Sequence, residues 1–186
     1  MIAAVVVATA LLVAGCGGSL DTHDPAPPQT SAAQHGGGDA HTELPDPLDA
    51  VTNDPATAAE AALQAMFSWR PDTDASPGAA VTRALPYLGG ALADAARSTP
   101  PALLLPPEWA SWARSKDVVS ASAAARPTDS GSSTTDNAAT RVVDLRQSVL
   151  HANGQSTPLS NLVVVAELVR TQSRWTLISY RVIAAS

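Results

Sequence analysis

The residue whose chemistry is clearest from the sequence is Cys16, the only cysteine among 186 residues. An apolar run over residues 1–12 precedes it, and Val13, Ala14 and Gly15 lie directly before it. A single cysteine cannot form an internal disulfide, and it excludes every metal framework built on several cysteines. Cys16 is therefore a lone thiol at the end of an apolar segment, directly after two small residues.

This arrangement resembles a bacterial lipobox, in which an aliphatic residue and two small residues precede the modified cysteine. The resemblance implies that a diacylglyceryl transferase alkylates the thiol at the membrane surface, which leaves a thioether-linked lipid on Cys16. Residues 1–15 then form a lipoprotein signal peptide with an apolar segment of ordinary length. The apolar stretch 2–14 has thirteen residues, too few for a membrane-spanning helix. Two acyl chains would anchor the chain firmly, at about 0.8 kcal/mol per buried CH₂. We expect the mature chain to lie on the extracytoplasmic face of the cell membrane, held by the lipid on Cys16.

The net charge of -6 comes from seventeen acidic and eleven basic residues, and the acids dominate near the N-terminus. No Lys or Arg precedes Arg70, whereas residues 17–54 contain seven Asp and Glu. The same segment is rich in Pro and Gly and poor in large apolar side chains, so it cannot offset the entropy lost on ordering. We predict that residues 16–53 are a disordered acidic tether, spanning roughly 30–35 Å as a coil. Because the chain has no long basic stretch, nucleic acid is not an expected partner.

The periodic apolar sequence, and hence the predicted folded domain, lies in residues 54–186. Asp54 followed by Pro55 is typical of a helix N-terminus, and apolar residues at helical spacing predict a helix over 56–69. Further helices are predicted over 78–85, 87–97 and 108–114. Alternating or Val-rich runs predict strands over 118–125, 140–151, 161–170 and 175–183, with Asn153 and Gly154 at a hairpin turn. Helices followed by a meander of about four antiparallel strands indicate an α+β fold with helices on one face of the sheet.

Trp109 and Trp112 are three residues apart, so they share one side of the short helix predicted over 108–114. This spacing fits two interpretations. The pair is either an exposed site for a partner or a lid that caps the core.

The last strand offers a second predicted interaction surface. Trp175 and Tyr180 have opposite parity along an ideal strand, so they point to opposite faces of the sheet. We assign Trp175 to the core because it is the larger apolar group and follows the turn. Tyr180, with Ile178 and Val182 two residues to either side, then forms an outward stripe.

Three segments resemble the NTF2-like superfamily: residues 58–69 (AAEAALQAMFSW), 83–88 (RALPYL) and 168–182 (LVRTQSRWTLISYRV). The resemblance implies a cone in which a bent antiparallel sheet of about four strands wraps over N-terminal helices. Within the superfamily the chain looks most like VirB8-like proteins of conjugation and type IV secretion, especially small exported actinobacterial proteins. It is also similar to the Mce-associated proteins.

Enzymes of this superfamily place Asp, His and Tyr inside the cone, which makes Asp144, His151 and Tyr180 the candidates here. Asp144 and His151 are an odd number of residues apart, so an ideal strand directs them to opposite faces. We interpret Asp144 as the partner of Arg146 and His151 as a turn residue. No phosphate-binding loop, HExxH or paired CxxC occurs in the sequence. We therefore expect no catalytic residue, no cofactor and no metal.

The resemblance then implies a non-catalytic assembly module whose partners are other envelope proteins or a second copy of the chain. The alternative is an accessory lipoprotein of a transport system that binds a lipid or a small ligand. A filled core would favour the first, and an open apolar cavity of several hundred Å³ would favour the second.

Overall fold

The computed structural model describes residues 52–98, 105–127 and 131–186. The predictions for Cys16, for the lipobox residues before it, and for residues 1–15 and 16–51 therefore lie outside the described residues. Within the described ranges, no helix has the length and apolar character needed to cross a membrane.

The first helix, α1 (Pro55–Phe67), begins where the sequence predicts it. The Asp54 side chain caps it, because its Oδ1 accepts hydrogen bonds from the backbone N–H groups of Ala56 at 2.9 Å and Thr57 at 3.0 Å. One face of α1 is buried against the sheet, and it consists of Ala58, Ala59, Ala62, Leu63 and Met66. The chain then becomes extended, and Trp69 forms an antiparallel bridge with Val119.

The described residues contain three further helices and one short turn. They are α2 (Gly78–Arg83), a 3₁₀ turn over Leu85–Tyr87, α3 (Gly90–Ser98) and α4 (Trp109–Ser115). The 3₁₀ turn lies at Pro86, which breaks the helical pattern as expected from its missing N–H. The Arg83 guanidinium holds this region to the loop after α1, since it contacts both carboxylate oxygens of Asp74 and the backbone carbonyl of Ser68.

The strands form one antiparallel sheet in the order β1 (Val118–Ala125), β3 (Ala138–Leu150), β4 (Ser156–Thr171) and β5 (Arg174–Ala185). A short strand, β2 (Ser133–Thr134), pairs with β3 inside the segment that the sequence predicts as loop. The α+β prediction is confirmed, with five strands in place of about four. The hairpin turn between β3 and β4 contains Gly154 at a φ of 83°, a conformation that glycine adopts without strain.

Register shifts change which side chains share a face. They occur between Gln147 and Ser148 in the β3–β4 pairing, and at two places in the β4–β5 pairing. In β5 the partner of Leu168 is Leu177, but the partner of Glu167 is Ser179, so Ile178 is an extra residue. Such a bulge reverses the alternation of the residues that follow it.

The main core lies between α1–α3 and one face of the sheet. Its largest fully buried side chains are Leu63, Leu145, Leu168, Leu177, Val143 and Val164. A second, smaller cluster lies under α4. Trp175 belongs to the main core at 4% exposure, as the sequence predicts.

Candidate functional site

The prediction that Ile178, Tyr180 and Val182 form an outward stripe on β5 is partly wrong. The bulge at Ile178 brings Tyr180 back to the face that carries Trp175, where its ring packs edge-to-face on Phe67 with the centroids 5.9 Å apart. Burial raises the pKa of the Tyr180 hydroxyl above its ordinary value of 10.0. Tyr180 is therefore a peripheral member of the core, not an outward interaction residue.

Ile178 is also not an outward residue of the kind predicted. It is half-buried and lies beside Gly89 and Gly90, at the start of α3. A Cβ at Gly89 would overlap the hydroxyl of Thr176, so only glycine lets the chain approach β5 here. This approach covers the first half of β5, because Leu88 forms a parallel bridge with Leu177 and the Gly89 N–H donates to the Leu177 carbonyl.

The second half of β5 is the exposed part of the predicted surface. Val182 is 42% exposed and the adjacent Ile183 is 52% exposed. In the part of the chain that the structure describes, no strand pairs with the outer side of residues 179–185. We call residues 179–185 the β5 edge. Val182 is the one member of the predicted stripe that is exposed, and the exposed Ile183 lies next to it.

The interaction-surface prediction for Trp109 and Trp112 is wrong. These side chains are only 6% and 7% exposed, and they pack with Val119 and Val149 under α4. The ring of Trp69 contacts Trp109, with the centroids 6.0 Å apart. The alternative interpretation, a lid over the core, is the one that the structure supports.

An open groove of about 680 Å³ crosses β3, β4 and β5. Asp144 lies in it, but its partner is Arg126 and not Arg146 as predicted. The Arg126 Nε lies 3.1 Å from each carboxylate oxygen of Asp144, and its Nη2 lies 2.7 Å from Oδ1. These bonds lower the pKa of Asp144, and the charge of Arg146 adds a smaller effect of the same sign. A carboxylate held in this way is a structural ion pair, not a general base.

His151 contacts Asp117 rather than Asp144. The Nδ1 of His151 lies 3.1 Å from Oδ2 of Asp117, and its Nε2 lies 2.8 Å from Oγ1 of Thr157. The register explains the contact, since Val118 pairs with Leu150 and the preceding Asp117 therefore meets the following His151. An open cleft of about 390 Å³ adjoins this group, and its lining includes Asp117, His151 and the turn residues Asn153 and Gln155.

Asp117 is a buried carboxylate, 5% exposed, with several donors around it. The Ser115 hydroxyl lies 2.8 Å from Oδ2. This hydrogen bond lowers the pKa of Asp117 most, and the contacts with His151 and the backbone N–H of Ala152 act in the same direction. Asp117 is thus held as an anion next to the His151 ring.

Sequence reasoning missed Asp117, Arg126 and Thr157 as site residues, because their contacts with His151 and Asp144 form across strands. In the hairpin around Asn153–Gly154, Thr157 pairs with Val149, two residues before His151, so His151 and Thr157 lie diagonally across the two strands. This proximity across a predicted turn is the one signal that the sequence contains. In the described residues no group of three or more His, Cys, Asp or Glu side chains is arranged to hold a metal ion.

Comparison with known proteins assigns neither a family nor a function to this chain. No family model matches the chain, and no curated protein or solved structure shows significant similarity to it.

Proposed function

We propose that this chain is a lipid-anchored envelope protein whose domain, residues 54–186, acts as a non-catalytic protein–protein assembly module. The observation that carries the proposal is the β5 edge, where Val182 and Ile183 expose adjacent apolar side chains on an outer strand. An outer strand with free N–H and C=O groups is a ready template for another chain. Assembly through such an edge requires no catalytic residue.

Two features of the sequence support the location in the envelope. The lipobox pattern ending at Cys16 provides the anchor, and the acidic segment 16–53 has a composition that would hold the domain clear of the lipid surface. The partners would then be other envelope proteins or a second copy of the chain.

The finer fold assignment is part of the same proposal. Helices on one face of an antiparallel sheet, with bulges that bend β4 and β5, are compatible with an NTF2-like cone. We propose that the domain belongs to this superfamily and serves a conjugation or type IV secretion-like machine, as VirB8-like proteins do. The three sequence segments quoted above support this assignment.

Site-specific crosslinking tests the assembly role. A photoreactive amino acid at Ile183 should give protein adducts in intact cells, because the β5 edge would lie against a partner. Leu105 is the matched control, since it has the same 52% exposure but lies outside the sheet. Adducts that are equal at the two positions, or absent from both, would contradict the proposal.

The groove across β3, β4 and β5 favours a second candidate, a protein that binds a lipid or small ligand. Its volume lies in the range of ligand sites, although Asp144, Arg146 and Asn161 make its lining partly polar. If this role is correct, native mass spectrometry of the protein extracted from membranes should show a bound small molecule. Arg146→Ala should reduce its occupancy, whereas Ile183→Ser should not.

A further inference from the structure

An assembly role does not require the hydrogen-bonded group formed by Asp117, His151 and Thr157. We propose that Thr157 is a nucleophilic hydroxyl, activated by His151, that accepts an acyl group from an activated ester such as a thioester or aryl ester. The proposal goes beyond the assembly role and does not depend on it. It assigns a covalent modification site at the hairpin between β3 and β4.

The contacts fix which ring nitrogen of His151 carries the proton. Asp117 is an anion and can only accept hydrogen bonds, so in the neutral form of the His151 ring Nδ1 carries the proton and donates it to Oδ2. The Nε2 lone pair is then free to accept, and the Thr157 hydroxyl at 2.8 Å must be the donor. This is the arrangement of nucleophile, base and orienting carboxylate by which a neutral hydroxyl is activated.

The residues around His151 keep Asp117 ionised and leave the Thr157 hydroxyl accessible to a substrate. Asp117 is held ionised by the Ser115 hydroxyl, and Lys116, the other charged side chain on this connection, is exposed. Thr157 is exposed on β4, directly opposite Val149. Because the residue is exposed, an acyl donor can reach Oγ1 from solvent.

The reaction is balanced without any further reagent. Oγ1 of Thr157 attacks the ester carbonyl while Nε2 of His151 takes the hydroxyl proton. The bond between the carbonyl carbon and the leaving group breaks, and Nε2 returns the proton to the departing thiolate or phenolate. The products are a threonine ester and a free thiol or phenol. Hydrolysis of that ester must expel a threonine alkoxide, a much poorer leaving group, so the acylated protein accumulates.

Treatment of the full chain with 4-nitrophenyl acetate tests the proposal. We expect about one equivalent of nitrophenolate per chain to be released in a burst, and one acetyl group on the peptide that contains Thr157. Thr157→Val should abolish both, whereas Thr157→Ser should retain them. Ser156→Ala, which removes the neighbouring hydroxyl, is the matched control and should change neither.

The role of His151 is tested by His151→Gln, which should slow the burst by roughly a hundredfold or more because it removes the general base. Asp117 is a positioning residue, and Asp117→Asn should slow the burst and also change the tautomer, which the ¹⁵N chemical shifts of the His151 ring report. Circular dichroism establishes that each variant is folded. Acetylation of Thr157 at equal rates in wild type and His151→Gln would overturn the proposal, as would acetylation confined to other residues.

Discussion

Replacing Tyr180 with alanine tests whether the bulge at Ile178 sets the face of the last strand. In a regular strand Tyr180 would point away from Trp175, and its loss would leave the fold largely intact. With the bulge, Tyr180 lies on the core face and packs on Phe67. The two arrangements predict different stabilities for the same variant.

The magnitude follows from the packing of the ring. Truncating a fully buried large aromatic residue to alanine costs about 3–5 kcal/mol, and Tyr180 is only partly buried. Scaling for this partial burial gives a loss of about 2–3 kcal/mol for Tyr180→Ala. An edge-to-face ring pair contributes about 0.5–1.5 kcal/mol of that loss. For a domain of this size the midpoint of thermal unfolding should fall by roughly 10 °C.

Urea unfolding of the purified protein measures this loss, and a double-mutant cycle isolates the ring pair. Phe67→Leu and Tyr180→Ala should show a coupling of about 0.5–1.5 kcal/mol. Arg181→Ala is the control, since Arg181 is exposed beside Tyr180 and its loss should change stability by less than about 0.5 kcal/mol. If Tyr180→Ala unfolds like Arg181→Ala and the coupling is zero, the bulge is absent and Tyr180 faces outward.

Four further predictions concern other parts of the chain. Cys16→Ser should prevent labelling by a clickable fatty acid, and equal labelling of wild type and variant would refute lipid attachment. Trp112→Ala should lower stability by about 3–5 kcal/mol in urea unfolding, because the side chain is buried; a loss below about 1 kcal/mol would restore the exposed-site interpretation. Since the pKa of Asp117 is lowered in the folded state, its ionisation stabilises the fold above the ordinary value of 3.8, and this contribution is lost as pH falls through the folded pKa. Ser115→Ala should weaken that acid dependence, which acid unfolding curves would show. Because burial raises the pKa of Tyr180, ultraviolet titration should reveal a tyrosine that ionises above pH 10.0 and is missing in Tyr180→Phe, and stability should fall as pH rises through that pKa.

Local chemistry determined most of the secondary structure. Asp54 and Pro55 begin α1 because a side-chain acceptor and a residue without an N–H suit the first turn of a helix. The strand predicted over 118–125 is the strand observed, and Gly154 turns the chain between β3 and β4. These signals act within a few residues, so the sequence alone contains them. The two-residue strand β2 was missed because so short a segment carries no periodic pattern.

Tertiary structure decided which side chains meet. The bulge at Ile178 depends on how β5 pairs with β4, and it reverses the face of Tyr180. The register of β1 on β3 brings Asp117 to His151, and the same pairing brings Arg126 within reach of Asp144. Contacts of this kind join residues that lie far apart in the chain, and a shift of one position would exchange their partners. Helical and strand periods in a sequence establish which faces are apolar, but register is set only when the strands pair.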